Sequence, residues 1–590
     1  MSPVYRGRRL VLLMLLLAGM VVLLGRAGYL EIFQQSWLQQ EADKRQIRKM
    51  IIPPYRGMIV DRNDDALAIS SPVETIWIDP SKFWRVRNEL RKTIAAKNEN
   101  SSEAQNKLDD LDVNLQQLET LLGMSEGQLF ELLKKNKNKR FVRLAPQAPP
   151  ALAQEVAELR VPGTGSNSEY RRFYPMAESV AHVVGFTNIA DKGVEGIERA
   201  MNKQLAGQAG EKLVIRDGAS RLIENVEQIR PMVPGQNVQL SIDRRIQYQA
   251  YKVLKEQVHQ LSAKAGSVVV LDARTGEVLA MANIPGFNPN ARGSLKAKNY
   301  RNRAVMDAYE PGSTIKPLTL AAALESRVIG PDVWIDTSPG KLKLGKTTIK
   351  DPRNYGSLTL DMILAKSSNV GASKISLLMD AKEHWKFLDR VGFGLRPDSG
   401  APAETDGKLS YYENWGEVDR ASHGYGYGLS VSLLQLAQAY TVFANKGVMY
   451  PAKLLKLTEP PSGRRIMKAE NADAVLRMMT KVVQKNATGY RAAIDGYTVA
   501  GKTGTAFKYI NKKYRRDRRV VSFIGLAPAS DPRLIVAIMM DEPKVERATG
   551  GRLVAPMFSK IMSNSLRVLD ISPDNLPERH VAVEAAGGIS

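Results

Sequence analysis

Glu310-Pro311-Gly312-Ser313-Thr314-Ile315-Lys316-Pro317 is the stretch on which the reading of this 590-residue chain turns. Pro311-Gly312 is a turn signal, and the apolar run over 318–324 continues at helical period, so a helix start is predicted here. Ser313 and Lys316 are then one turn apart, with hydroxyl and amine on one face. A serine at that place also sits at the positive end of the helix macrodipole, which favours a developing oxyanion. A second Ser-x-x-Lys, Ser338-Pro339-Gly340-Lys341, carries Pro-Gly between its ends. No helical turn is expected there, so its serine and lysine do not share a face.

Two later stretches complete a pattern. Ser367-Ser368-Asn369 follows a helix-like run, and Lys502-Thr503-Gly504-Thr505 lies inside the strand candidate 498–507. Each alone is a cheap motif. The information is in the order: Ser-x-x-Lys on a helix, Ser-x-Asn on a loop, Lys-Thr-Gly on an edge strand.

The chemistry explains the residue types. A serine hydroxyl needs a base to become a nucleophile. The chain has five histidines (His182, His259, His384, His423, His580), none near Ser313 in sequence, and they are read as structural or surface groups. Lys316 serves as base only when neutral, a state that burial and a neighbouring cation favour, and Lys502 is the candidate cation. Asn369 is placed to hold Lys316 and a substrate amide through its side-chain oxygen and nitrogen. Ser367 is a proton relay to a leaving amine. On an edge strand, Thr503, Gly504 and Thr505 pair with an extended peptide; Gly504 permits close approach, and the Lys502 cation with the hydroxyls receives a carboxylate. The backbone amides of Ser313 and Thr505 are the expected oxyanion hole. Neither a metal site nor a cofactor is expected.

Composition frames this centre. The chain has no cysteine, which excludes a disulfide scaffold, thiolate zinc ligation and a cysteine nucleophile. Its net charge of +23 points to nucleic acid, an anionic membrane or a polyanionic wall, without choosing among them. Residues 10–25 are almost unbroken Leu, Val, Met, Ala and Gly, and 27–30 extend the run past Arg26. At about 1.5 Å per residue this spans a bilayer, with Arg26 snorkelling outward. Arg6, Arg8 and Arg9 precede it, so residues 1–9 are expected in the cytoplasm and the rest of the chain beyond the inner membrane. A cleaved signal peptide is the alternative, but the run exceeds the usual apolar region of roughly 7–15 residues.

Along the chain, residues 31–50 read as a juxtamembrane helix. Residues 51–230 read as a β-rich, loop-bearing domain with helices over 88–139 and a solvated insertion over 97–110. Pro231 and Gly235 bracket a boundary. From 237 to 570 a strand, an amphipathic helix over 245–261, the buried strand Gly266-Ser267-Val268-Val269-Val270-Leu271-Asp272 and a Thr275-Gly276 hairpin turn come first. Helical stretches follow, then strands over 498–507, 520–526 and 534–540. Strands at both ends of a domain with helices between them predict an antiparallel sheet under a helical layer, an α+β arrangement. Residues 571–590 read as a loose tail. Arg515-Arg516-Asp517-Arg518-Arg519 reads as a solvated loop between strands facing an anionic wall or membrane; no nucleic-acid motif accompanies it, and no nucleic-acid partner is expected.

With these motifs in place, the chain resembles the class B penicillin-binding proteins from about residue 51 to 566. Arg56-Gly57-Met58-Ile59-Val60-Asp61-Arg62-Asn63, Arg172-Phe173-Tyr174-Pro175, Ala181-His182-Val183-Val184-Gly185-Phe186-Thr187 and Gly193-Val194-Glu195-Gly196-Ile197-Glu198 resemble the family's pedestal domain. Gly424-Tyr425-Gly426-Tyr427-Gly428 resembles part of its transpeptidase domain. The resemblance implies a serine β-lactamase-like transpeptidase domain, preceded by an elongated pedestal of the dimerisation type and one transmembrane helix. It implies D,D-transpeptidase activity on D-Ala-D-Ala stem peptides through a serine acyl-enzyme that β-lactams trap. Ser367-Ser368-Asn369 ends in asparagine where the elongation type often ends in aspartate, so the division-specific (FtsI-type) branch is the closer resemblance. The implied partners are peptidoglycan stem peptides, a SEDS-family glycan polymerase and other divisome membrane proteins. The pedestal turn departs from the family, reading Asn63-Asp64-Asp65 where Asn-Gly is usual, and the 97–110 insertion is also unusual.

Rival readings are an elongation-specific transpeptidase, a β-lactamase or carboxypeptidase passing the acyl group to water, and a non-catalytic membrane-tethered scaffold or β-lactam sensor. The anchor and large pedestal argue against the small hydrolase, and the full set of candidate residues argues against the scaffold.

Overall fold

Val268 and Val270 point to one side of strand β1 (Ala265–Asp272), Val269 and Leu271 to the other, and all four are fully buried. The same split runs through β5 (Leu534–Asp541), where Val536 and Ile538 join one core and Ile535 and Ala537 the other. A strand whose two faces are both covered reads as a continuous apolar run, which is how these stretches look in the sequence. With β2 (Val278–Ile284), β3 (Ala500–Ile510) and β4 (Lys513–Ala527) they form a five-stranded antiparallel sheet in the order β2-β1-β5-β4-β3. Helices α1 (Arg244–Gln260) and α5 (Ala555–Val568) cover one face, α1 being capped by the Asp243 carboxylate on the Arg245 amide. The buried helices α2 (Lys316–Glu325), α3 (Leu360–Lys366) and α4 (Asn369–Leu378) build the core on the other face.

This computed structural model describes residues 3–37, 47–97, 99–216, 222–291, 293, 296–459 and 461–576. By its contacts the chain divides into two compact units: Met1–Tyr55, Pro72–Arg171 and Gly207–Gly235; and Arg56–Ser71, Arg172–Ala206 and Gln236–Ser590. Two segments carrying pedestal motifs thus pack within the second, larger unit. Among them Glu198 is fully buried between two arginines: Oε2 accepts from Arg56 Nε at 2.7 Å and Oε1 from Arg172 Nε at 2.6 Å. Removing one member of a buried ion cluster strands the others without solvent or counter-charge. Glu198→Ala is therefore expected to destabilise the protein by about 3–5 kcal/mol, measured by urea unfolding followed through tryptophan fluorescence. The Asn63-Asp64-Asp65 turn closes without glycine. Asp64 takes the left-handed conformation (φ 65°), and the Asp61 carboxylate accepts from the amides of Asn63 and Asp65 at 2.7 and 3.0 Å.

The other unit has a three-stranded antiparallel sheet of Ile47–Ile52, Gly210–Arg216 and Leu222–Arg230, and a helical core from Pro80–Ala95, Ser101–Leu121, Gln128–Lys135 and Pro150–Glu158. The 97–110 insertion is largely the start of the second helix, its Ala104 buried. The expected juxtamembrane helix over 31–50 does not run through. Tyr29–Phe33 forms a π-helical turn, residues 38–46 lie outside the described residues, and Ile47–Ile52 is a strand because it finds a partner in Gly210–Arg216. Pro3–Gly28 is helical, and the helical segment Gly7–Phe33, which contains an 18-residue stretch of mean hydropathy 2.5, is long and apolar enough to cross a bilayer. Of the expected tail, residues 577–590 lie outside the described residues.

The arginine run 515–519 is not the loop expected from sequence. Asn511 and Lys512 both take left-handed φ (52° and 62°), giving a two-residue hairpin turn, and the run lies on β4 beyond it. Arg515 and Arg519 pair with Lys508 and Phe507 of β3, and 516–518 bulge from the ladder between them.

Candidate active site

A 3-10 turn, Gly312–Ile315, leads into α2, with Pro317 in the helix's first turn, where a missing amide hydrogen costs nothing. The turn is clamped from behind. The Gly312 amide donates to the Gly426 carbonyl at 3.0 Å, and a Cβ on Gly426 would overlap Gly312. Tyr440 donates its hydroxyl to the Thr314 carbonyl at 2.6 Å. Ser313 is half-buried, and its hydroxyl has no hydrogen-bond partner among the described residues.

Lys316 faces inward and is fully buried. Its Nζ lies 2.7 Å from the Ser367 carbonyl, 2.8 Å from Asn369 Oδ1 and 3.3 Å from Ser367 Oγ. Burial pushes its pKa well below the ordinary lysine value, the charge of Lys502 pushes the same way, and Asp351 opposes both. A neutral amine has two N–H bonds and one lone pair. The two short contacts use the donors and leave the lone pair available.

Ser367 caps the C-terminus of α3 in the left-handed conformation (φ 57°), a position usually given to glycine. Ser368 caps α4 at once, accepting from the Gly371 amide at 2.9 Å. The motif expected on a loop is thus a tight corner between two helices. Asp351 pins it, accepting from the Ser368 hydroxyl and the Asn369 amide, both at 2.5 Å, and from the Val370 amide at 3.1 Å. Backbone strain of this kind persists where surrounding bonds over-determine it.

Lys502 enters from β3, also fully buried, with Nζ 3.0 Å from Ser367 Oγ and 3.2 Å from the Thr503 carbonyl. Burial brings its pKa down to about 7. β3 is the end strand of the sheet and packs against the Gly312–Ile315 turn. A Cβ on Gly312 would lie 3.1 Å from the Thr505 carbonyl oxygen, so the polar backbone of Thr505, whose N–H and C=O point the same way, faces the turn and not β4. A Cβ on Gly504 would overlap Ser522 Oγ and crowd Thr314, so only glycine lets strand and turn approach this closely.

The structure therefore gathers Lys316, Ser367, Asn369 and Lys502 into one hydrogen-bonded cluster, with Ser313, Thr503, Gly504 and Thr505 on the adjoining turn and strand. The second Ser-x-x-Lys is elsewhere: Ser338 and Lys341 are exposed, and Lys341 opens a strand. His182, His384 and His423 are buried with no bond to Ser313, His259 is exposed, and His580 lies outside the described residues. Sequence reasoning missed Asp351 and Glu310. Glu310 accepts from the Gly428 amide and the Tyr514 hydroxyl, both at 2.9 Å, and burial raises its carboxyl pKa. Asp351-Pro352 carried only a turn signal, and Glu310 none.

A serine at a helix start, an inward lysine one turn later and a second buried lysine on an antiparallel end strand make up the arrangement expected of a serine acyl-transfer centre of the penicillin-binding kind. The sequence matches the penicillin binding protein transpeptidase domain over residues 266–563 and the penicillin-binding protein dimerisation domain over 51–240. It is 38% identical to the probable peptidoglycan D,D-transpeptidase PenA of Neisseria meningitidis, over 96% of this chain and 94% of that protein. It is 35% identical to the peptidoglycan D,D-transpeptidase FtsI of Escherichia coli K12, over 95% and 92%. The transpeptidase domain of Burkholderia pseudomallei penicillin-binding protein 3 superposes with a TM-score of 0.53 at 39% identity, covering 57% of this chain and 98% of that one. The chain belongs to the class B penicillin-binding proteins.

Proposed function

We propose that this protein is a peptidoglycan D,D-transpeptidase that cross-links stem peptides in septal wall synthesis. One observation carries the reading: Ser367 Oγ lies between two buried lysine amines, 3.3 Å from Lys316 and 3.0 Å from Lys502, and the half-buried Ser313 stands one helical turn before Lys316.

Ser313 Oγ attacks the penultimate D-alanine carbonyl and gives its proton to the lone pair of neutral Lys316. The tetrahedral oxyanion is received by the amides of Ser313 and Thr505. As the C–N bond breaks, the proton passes from Lys316 through Ser367 Oγ to the departing D-alanine amine. An amine of a second stem peptide then attacks the ester and restores the Ser313 hydroxyl. Asn369 fixes Lys316, and the Lys502 cation with Thr503 and Thr505 receives the terminal carboxylate. A β-lactam follows the first half and stops, because no leaving group departs. Intact-protein mass spectrometry after incubation with a labelled β-lactam is expected to show one adduct on the peptide containing Ser313, lasting many minutes. An adduct on another serine overturns the site, and release within seconds points to a β-lactamase.

Relatives named FtsI support the septal assignment. The apolar N-terminal helix acts as a single-pass anchor, with Arg6, Arg8 and Arg9 holding residues 1–9 in the cytoplasm and the catalytic unit periplasmic. A SEDS-family glycan polymerase and other divisome proteins are the membrane partners, and co-purification with such a polymerase that fails when the helix is exchanged checks this.

A further inference from the structure

From Lys508 to Arg519 the β3–β4 hairpin carries seven cations (Lys508, Lys512, Lys513, Arg515, Arg516, Arg518, Arg519) against one carboxylate, Asp517. Some are committed. Lys508 binds Asp541 and Glu542 at 2.9 and 2.7 Å, Arg515 binds Asp517, Arg518 lies 3.6 Å from Glu542, and Arg519 covers the Phe507 ring. Among the described residues Lys512, Lys513 and Arg516 have no acidic partner, and all three are exposed. The ladder pairs Lys508 with Arg515 and Phe507 with Arg519, so Arg516, Asp517 and Arg518 bulge from it.

Charges on an exposed hairpin also discourage strand-to-strand aggregation, and that would account for the cations alone. It does not account for the tyrosines. Tyr425, Tyr427, Tyr514 and Tyr509 form a row with successive ring separations of 5.3, 5.3 and 5.0 Å. The row starts at the loop that clamps the Ser313 turn and ends at the hairpin tip, where Tyr514 and Tyr509 are 45% and 59% exposed. The free edge of β3 is closed at Phe507, whose amide donates to the Tyr427 hydroxyl at 3.0 Å. A peptide pairing at Thr505 thus finds no further ladder bond at that point, and tyrosine faces with cations beside them lie next along the path.

We propose that this tyrosine row and the Lys512, Lys513 and Arg516 cations form a docking track for the acidic glycan–peptide polymer from which the reacting stem peptide hangs. Sugar rings lay their C–H faces on Tyr509 and Tyr514, and free carboxylates of neighbouring stem peptides meet the three cations. The inference rests on the transpeptidase reading of the Ser313 site and adds where the remainder of its substrate lies.

The test uses the full chain in detergent micelles and purified, protein-free sacculi, with binding measured by pelleting. Combined Lys512→Glu, Lys513→Glu and Arg516→Glu are expected to weaken sacculus binding about tenfold at low salt, and less as salt shortens the Debye length below about 10 Å. Tyr509→Ser, which leaves the charge alone, is expected to weaken it severalfold with little salt dependence. Acylation by benzylpenicillin, which carries no glycan strand, is expected to stay within about twofold in every variant. Unchanged sacculus binding in the triple variant overturns the proposal, as does a loss confined to phosphatidylglycerol vesicles, which would make the tip a membrane contact. Failure of the unaltered protein to form a β-lactam adduct overturns the catalytic reading instead.

Discussion

Lys316→Met is expected to slow β-lactam acylation by about 10²–10⁴-fold, the range for loss of a positioned general base, and to raise the melting temperature. The two effects share a cause. Lys316 is wholly buried with its pKa held far below the ordinary value, so at neutral pH the unfolded chain binds a proton that the folded site refuses. Its burial therefore opposes folding at neutral pH. This cost shrinks as pH rises towards about 10.4, where the unfolded lysine also loses its proton. Methionine matches the stem and carries no charge; such replacements in buried ionic sites are neutral or stabilising by about 1–4 kcal/mol. The lost bonds to the Ser367 carbonyl and Asn369 Oδ1 offset little, because both residues are only half-buried and water reaches them. Acylation kinetics and thermal melts between pH 6 and 10 check this. The stability gap between variant and wild type should narrow as pH rises; a variant that melts lower at neutral pH contradicts a neutral, strained Lys316.

Lys502→Ala is expected to cost about 10²–10³-fold in acylation, the loss typical of removing one preorganised electrostatic contact, and to change the pH profile on both sides. By the proposed mechanism the wild-type rate is expected to rise with pH as Lys316 gives up its proton. It falls as Lys502, brought down to about 7 by burial, loses the charge that receives the carboxylate. Without Lys502 the falling limb disappears. The rising limb moves to higher pH, because the nearby cation that helped depress Lys316 is gone. Second-order acylation rates for a carboxylate-bearing β-lactam from pH 5 to 10 read both limbs. A falling limb that survives the substitution would assign it to another group.

The eight candidate site residues were legible as residue types in a certain order, since helix-start, corner and end-strand positions each restrict what the chain accepts. The sheet strands were legible too: 268–271 and 534–540 are apolar at every position because both faces are covered. Arg515 to Arg519 misled, because a strand set by its hairpin partner does not need the composition of a strand. Asp351 was invisible for a related reason. It holds Ser368 and Asn369 across a separation of 17 and 18 residues, and no local pattern marks such a partner. Nor did local sequence announce that Glu198 meets Arg56, 142 residues away, as well as Arg172.

What the sequence determined alone was chemical inventory and local geometry: a hydroxyl and an amine one turn apart, a glycine where a strand must be approached, an apolar run at the amino terminus, and no thiol anywhere. Those follow from covalent structure and backbone period. Tertiary structure decided the protonation states, since a lysine becomes a base only when packing removes water from around it and sets a second cation nearby. It also decided the left-handed corner at Ser367, which stands because Asp351 and two helices hold it there.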